Sequence, residues 1–159
     1  MPHLSAMNTR VWRIFKPLMV ALASIAGIFA LMQAVPYGRT HSNPPTISEP
    51  PWDSPRTREL AVRACFDCHS NYTKWPWYAN LAPLSWAVQF DVDSARSVVN
   101  FSEWNREYDL AVYAGRRTRD GNMPPYKYLM AHPEADLTAQ ERMELARGLD
   151  ATLKSAEPY

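Results

Sequence analysis

The chain reads as an all-α protein in which one membrane-crossing helix precedes a small helical domain. Three observations predict this. Apolar residues recur three or four apart in separate stretches, each with a helix-start signal ahead of it, and no strand-rich α/β pattern accompanies them. An uncharged run from Pro17 to Val35 is long enough to cross a bilayer. The composition, 47% hydrophobic with 14 Pro and only 5 Gly in 159 residues, suits one modest globular unit of short helices punctuated by stiff loops.

The N-terminus divides into a basic segment, residues 1–16, and a membrane anchor, residues 17–35. Arg10, Arg13 and Lys16 precede the apolar run, which at about 1.5 Å per residue roughly matches a hydrocarbon core of about 30 Å. A cleaved signal peptide has a shorter apolar region and small residues ahead of the cut, whereas here bulky Met32 stands two residues before Ala34. The reading is therefore an uncleaved anchor. Its basic flank stays in the cytoplasm and the rest crosses to the outer side. All 16 acidic residues lie after Thr46 with thirteen of the basic ones, so the outer part carries about −3 while the whole chain carries +1. Nothing in this pattern resembles a nucleic-acid-binding surface.

Residues 36–53 read as a Pro-rich tether. Asn43-Pro44-Pro45 and Glu49-Pro50-Pro51 fix φ and remove donors, so the segment should be extended, largely unpaired and able to hold the domain off the bilayer. The globular part, residues 54–159, opens with Ser54 as a cap and Pro55 at the first helical position, which predicts a helix from Pro55 to about Ala64 with Leu60 and Ala64 on its buried side.

That helix delivers the chain's only two cysteines, in Cys65-Phe66-Asp67-Cys68-His69. Two thiols three positions apart with an imidazole after the second is the pattern on which haem c is covalently attached. On a helical turn Cys65 and Cys68 can form thioethers to one edge of a porphyrin while His69 supplies the proximal iron ligand. A thioredoxin-like pair would want an α/β setting. A zinc site would want a fourth ligand, and no second Cys or His pair follows. A disulfide across two residues closes too small a loop to stabilise much. After His69 comes an aromatic loop, in which Trp75, Trp77 and Tyr78 can wall an apolar haem pocket or simply pack.

A second helix is predicted after Pro83, with Leu84, Val88, Val92, Ala95 and Val99 inside and Asp91, Asp93 and Arg96 outside. Ser102 offers a cap for a third, running towards Gly115. Arg116, Arg117 and Arg119 then form a basic cluster, either solvated or paired with haem propionates or a partner protein. In Gly121-Asn122-Met123-Pro124-Pro125 a methionine is pinned between turn-formers and prolines, so Met123 is the expected distal iron ligand. His132 is the alternative and Met130 a weaker one. The last helix starts on the capping box Thr138-Ala139-Gln140-Glu141 and buries Met143, Ala146, Leu149 and Leu153. It is placed to pack across the Pro55–Ala64 helix.

Cys65 to His69, Asn71, Thr73, Trp75-Pro76-Trp77-Tyr78, Ala82-Pro83-Leu84-Ser85-Trp86, Asp91-Val92, Asn100-Phe101-Ser102-Glu103-Trp104, Met123-Pro124-Pro125, His132-Pro133-Glu134-Ala135 and Leu137 stand in order along the chain. In this it closely resembles the haem-binding-domain family of bacterial membrane-anchored, single-haem c-type cytochromes, over roughly residues 54–149. The resemblance implies a mostly helical, cytochrome-c-like domain around one covalently attached haem c, held through Cys65, Cys68 and His69. The resemblance leaves the physiological role open, and two functional classes remain. The first is single-electron transfer at the periplasmic face of the inner membrane, with an unidentified redox protein or membrane complex as partner. The second is a haem enzyme or gas or redox sensor, peroxidase-like, whose sixth ligand is labile and whose distal groups would come from His132, Tyr126 and Arg117.

Overall fold

The structure is a computed structural model and describes residues 3–154. Among these residues every regular element is helical, apart from one isolated parallel bridge between Ser48 and Glu103. Helix α1, His3–Gln33, carries an apolar stretch, Trp12–Gln33, that is long enough to cross a membrane and is not buried against the rest of the chain. It stops two residues before the expected Val35, because Pro36 disfavours helical geometry in the residue ahead of it.

Helix α2, Pro55–Ala64, starts as its sequence demands: Ser54 is extended and its Oγ accepts the Thr57 amide at 3.2 Å. The chain kinks at Cys65 and re-enters a one-turn helix, α3, Phe66–His69. A 3₁₀ turn, Trp77–Asn80, leads to α4, Leu84–Val98. Then come a 3₁₀ turn Ala111–Tyr113, α5 Ala114–Arg119, α6 Tyr126–Leu129, a 3₁₀ turn Pro133–Ala135 and α7 Ala139–Lys154. The reciprocal capping box at the start of α7 is present: Thr138 N donates to Glu141 Oε2 at 3.0 Å and Glu141 N to Thr138 Oγ1 at 3.2 Å.

One core holds these pieces. Leu60, Ala61 and Ala64 of α2 meet Phe66, Val99, Phe101 and Leu137, and α7 closes over them with Leu145, Leu149 and Leu153. Two glycines set how closely α7 can approach. A Cβ at Gly148 would overlap the Thr57 side chain on α2, and one at Gly115 on α5 would overlap Asp150 and the Ala146 carbonyl. Met143, expected on this buried face, is 41% exposed. The inward row is Leu145, Ala146, Leu149, Thr152 and Leu153.

Three further expectations are corrected. No helix runs from Ser102 to Gly115: the Ser102 hydroxyl accepts the Asn71 amide at 2.9 Å, and the Ser102 amide donates to the Asn100 side chain. The polar groups that would start a helix are thus committed elsewhere. Helix α4 is rotated from its expected face. Leu84 is 50% exposed, while Ser85, Gln89 and Val92 are buried and Arg96 is drawn inward. The segment expected to be largely unpaired between anchor and domain is a strap lying on the domain. Asn43 Nδ2 donates to Thr73 O at 2.8 Å, Ile47 N to Ser102 O at 2.8 Å, and Trp104 N to Ser48 O at 3.0 Å. Its Trp52 packs against Phe66 and Phe101 of the core. Proline removed only some of the strap's donors, and those left over reach the irregular backbone of residues 99–104.

Candidate functional site

The Cys65–His69 turn is built by two helices meeting out of line. Cys65 N still donates to Ala61 O, closing α2, while the Cys65 carbonyl accepts from both Cys68 N at 3.2 Å and His69 N at 2.9 Å, opening α3. The thiols therefore sit one turn apart, both half-buried and not joined to each other. Burial pushes the Cys65 thiol up to about 12; burial, then the Asp67 and Asp91 carboxylates, push Cys68 to about 11. A thioredoxin-type pair is shifted the opposite way, towards the thiolate. Among the described residues no group of three or more His, Cys, Asp or Glu side chains is placed to hold a metal ion, so a zinc cage has no geometric support.

His69 is fixed at three points. Its Nδ1 lies 3.1 Å from the Val99 carbonyl, and because a carbonyl only accepts, Nδ1 carries the proton and Nε2 the lone pair. Its own carbonyl accepts the Phe101 amide at 2.8 Å, and its ring rests against that of Phe101. Burial lowers the imidazole pKa, against the opposing pull of the Val99 and Ala95 carbonyls, so the ring is a neutral donor at neutral pH. Orientation of a ligating imidazole by a backbone carbonyl on its other nitrogen is the usual arrangement for a metal-binding histidine.

The segment that holds His69 is held in turn by a buried polar network. Asn100 Nδ2 donates to Asn71 Oδ1 at 2.9 Å, and Asn71 Nδ2 reaches Pro45 O and Glu103. Arg96 crosses beneath, donating to Ser70 O, Thr73 Oγ1, Ser42 O and Asn43 Oδ1. This ties the strap to the chain just after the motif, whereas helical periodicity predicts Arg96 on the outer face of α4. Nothing in helical periodicity signals such a role. The clue was the density of Asn, Ser and Thr in two short irregular stretches.

Asp67, inside the motif, is a second hub. Its Oδ1 accepts the Lys74 amide, its carbonyl accepts the Thr73 hydroxyl, and its Oδ2 accepts the Tyr128 phenol at 2.7 Å. Burial, then Asp67, hold Tyr128 above its ordinary range, so it stays a donor throughout neutral pH. Lys127 pairs with Asp91 of α4 at 2.7 Å. Helix α6 is thus tied to the Cys65–His69 motif and to α4 by adjacent residues.

Met123 stands three residues before α6, and its backbone is pinned from the other side as well. Helix α5 ends in a Schellman turn: Gly121, at φ 72°, donates to Thr118 O, Asn122 to Arg117 O, and Met123 N also to Arg117 O at 3.2 Å. Met123 is 39% exposed. His132 is stacked on the Tyr128 ring at 4.1 Å with its Nδ1 3.3 Å from Glu134, and Met130 is exposed. The aromatic loop is split. Trp75 stacks on His41 of the strap, while Trp77, with Tyr78 edge-on to it, is 76% exposed. Of the arginine cluster, Arg119 pairs with Asp150 of α7 and Arg116 with Asp120. Arg117 contributes its carbonyl to the turn before Met123, and Tyr126 is exposed at the start of α6.

The donor set fits an iron porphyrin: two thiols on one turn, an imidazole with Nε2 available, and a soft thioether on a pinned loop. The buried indole N–H groups of Trp75 and Trp86 also have no acceptor among the described residues, unlike that of Trp52, which donates to Glu49. A search of curated proteins and a search of solved structures find no match to this chain. A family model described as a haem-binding domain matches residues 27–151, most of the chain from the end of α1 through α7, and the protein belongs to that haem-binding family.

Proposed function

We propose that the protein holds one haem c covalently through Cys65 and Cys68, with His69 and Met123 as axial ligands, and passes single electrons at the periplasmic face of the inner membrane. The observation that carries this reading is the conformation of residues 65–69, where both thiols share one turn and the imidazole is already fixed in the tautomer that frees Nε2. The bound group would supply one-electron iron chemistry, with a potential set by its axial ligands and by burial. The protein's contribution is positional. Val99 and Phe101 orient His69, and the α5 turn and α6 fix the backbone around Met123. His132 is the poorer distal candidate, since its ring is committed to Tyr128 and its Nδ1 faces Glu134. Retention of α1 as an anchor, rather than its removal as a signal, agrees with the packing of Gln33 and the following strap on the domain.

The test is expression of the full chain in a host that assembles cytochromes c. The tryptic peptide containing Cys65 to His69 should gain the mass of one haem, and the ferric protein should show the weak far-red band of sulfur-to-iron charge transfer. Met123→Ala should abolish that band. Persistence of the band moves the ligand to another methionine; a high-spin ferric spectrum in the wild type, with ready cyanide or CO binding, replaces electron transfer by a haem enzyme or sensor.

A further inference from the structure

The end of α1 does not lead into a free linker. The side-chain amide of Gln33, the last helical residue, pairs with the backbone of Ala82 in both directions: Nε2 donates to Ala82 O at 2.9 Å and Ala82 N donates to Oε1 at 3.1 Å. Arg39 donates to the same Oε1 at 2.9 Å. Between them the chain makes a tight turn in which Gly38, at φ 79°, lies against the Ser85 carbonyl so closely that a Cβ would overlap it, and the Tyr37 hydroxyl donates to Asp93 of α4. The apolar stretch Trp12–Gln33 would measure about 33 Å at about 1.5 Å per residue, against a hydrocarbon core of about 30 Å. Gln33 then falls at the headgroup boundary, and so does whatever is hydrogen-bonded to it.

The stretch of chain around Ala82 exposes large apolar side chains. Trp77 is 76% exposed, Leu81 41% and Leu84 50%, all within an eight-residue stretch that includes Ala82. An indole with an apolar body and one polar N–H is the side chain most at home in the interfacial layer of a bilayer. From the continuity of this patch with the end of the span, we infer that Trp77, Leu81 and Leu84 enter the lipid headgroup layer and seat the domain flush on the membrane. The occupant is phospholipid. Burial of three apolar side chains at a surface the span already holds in place needs no further translational ordering. The inference rests on the reading that α1 is retained as an anchor.

The experiment uses the full, haem-loaded chain with benzoylphenylalanine at position 77, 84 or 112, reconstituted in phosphatidylcholine nanodiscs and irradiated. Val112 is the control, an exposed apolar residue in the 3₁₀ turn that packs with α7, away from α4. Each variant's haem spectrum confirms that it is folded. Lipid adducts at 77 and 84, and none at 112, are the expected result. Equal yields at all three positions, no adducts, or adducts to protein at 77 and 84 overturn the inference while leaving the anchor in place. Intact mass and carbonate extraction of the native membranes test the anchor separately: a chain cut after α1 and released overturns both readings.

Discussion

The bond between Tyr128 and Asp67 makes the sharpest claim about how the two halves of the site are joined. Tyr128→Phe removes one hydroxyl and nothing else. A hydrogen bond to a charged acceptor contributes about 1.5–3 kcal/mol to stability. At 2.7 Å this one is short, but Asp67 is only half-buried and keeps the Lys74 amide, so water can partly replace the phenol and the lower part of that range applies, about 1.5–2 kcal/mol. For a domain of this size the loss corresponds to a melting temperature lower by about 5–8 °C. With the proposed His69 and Met123 ligation, the more specific readout is the far-red band of the oxidised protein, which would report the loop at Met123 rather than the whole fold. Followed on heating, it should fade well below the global transition in Tyr128→Phe and near it in the wild type. A double-mutant cycle with Asp67→Ala isolates the pair and should return a coupling of about 1 kcal/mol or more. A coupling under about 0.5 kcal/mol, with the band lost at the same temperature in both proteins, would refute the idea that this bond ties the Met123 loop to the Cys65–His69 motif.

Other consequences can be checked by the same means. Asn100→Ala removes the partner of Asn71 Oδ1 and of the Ser102 amide, both buried, and should cost about 2–4 kcal/mol in denaturant unfolding, since two polar groups are left without partners. Gly148→Ala should cost about 1–3 kcal/mol by driving α7 off α2, and Thr57→Ala in the same chain should restore part of it. Glu141 is held down at about 2, first by the Arg63 guanidinium and then by the Thr138 amide. A carboxyl depressed in the folded state binds fewer protons there than when unfolded, so its contribution is complete above about pH 4.5 and lost as pH falls towards about 2. Glu141→Gln should therefore flatten the stability curve between those values and leave its slope above pH 5 unchanged.

How much of this was legible in the residues depends on the range of the interaction. Helix α2 and the capping box of α7 could be read because their signals are local: Ser54-Pro55 and Thr138 to Glu141 each satisfy backbone donors within one turn. Haem binding could be read because the Cys65–His69 motif is confined to five residues. What went unread was set by partners more than twenty positions away. Ser102 looks like a helix cap until Asn71 is brought beside it, and Arg96 looks solvated until the Ser70 carbonyl and the strap arrive. Periodicity counts apolar residues and is blind to a side chain that turns inward to be hydrogen-bonded, as Arg96 does on α4.

The same contrast explains why the strap belongs to the site rather than to a linker. His69 is oriented by Val99 and Phe101, and residues 99–102 have no regular structure to make them rigid. Their rigidity comes from Asn71 and Asn100 on one side and from Ile47, Ser48 and Trp52 of the strap on the other. The strap is itself fixed at its start by Gln33, the last residue of α1. Helix α1, strap and imidazole thus form one continuous chain of contacts, and a cut or an insertion of flexible residues between Pro36 and Asp53 should loosen His69 before it loosens α7. Lengthening the strap by six Gly-Ser residues at Thr40 offers a direct comparison. If His69 depends on the strap, the ferric spectrum broadens and cyanide enters faster while the unfolding of α7 is unchanged. If the spectrum and cyanide rate stay those of the wild type, the 99–102 segment is held by the Asn71–Asn100 pair alone.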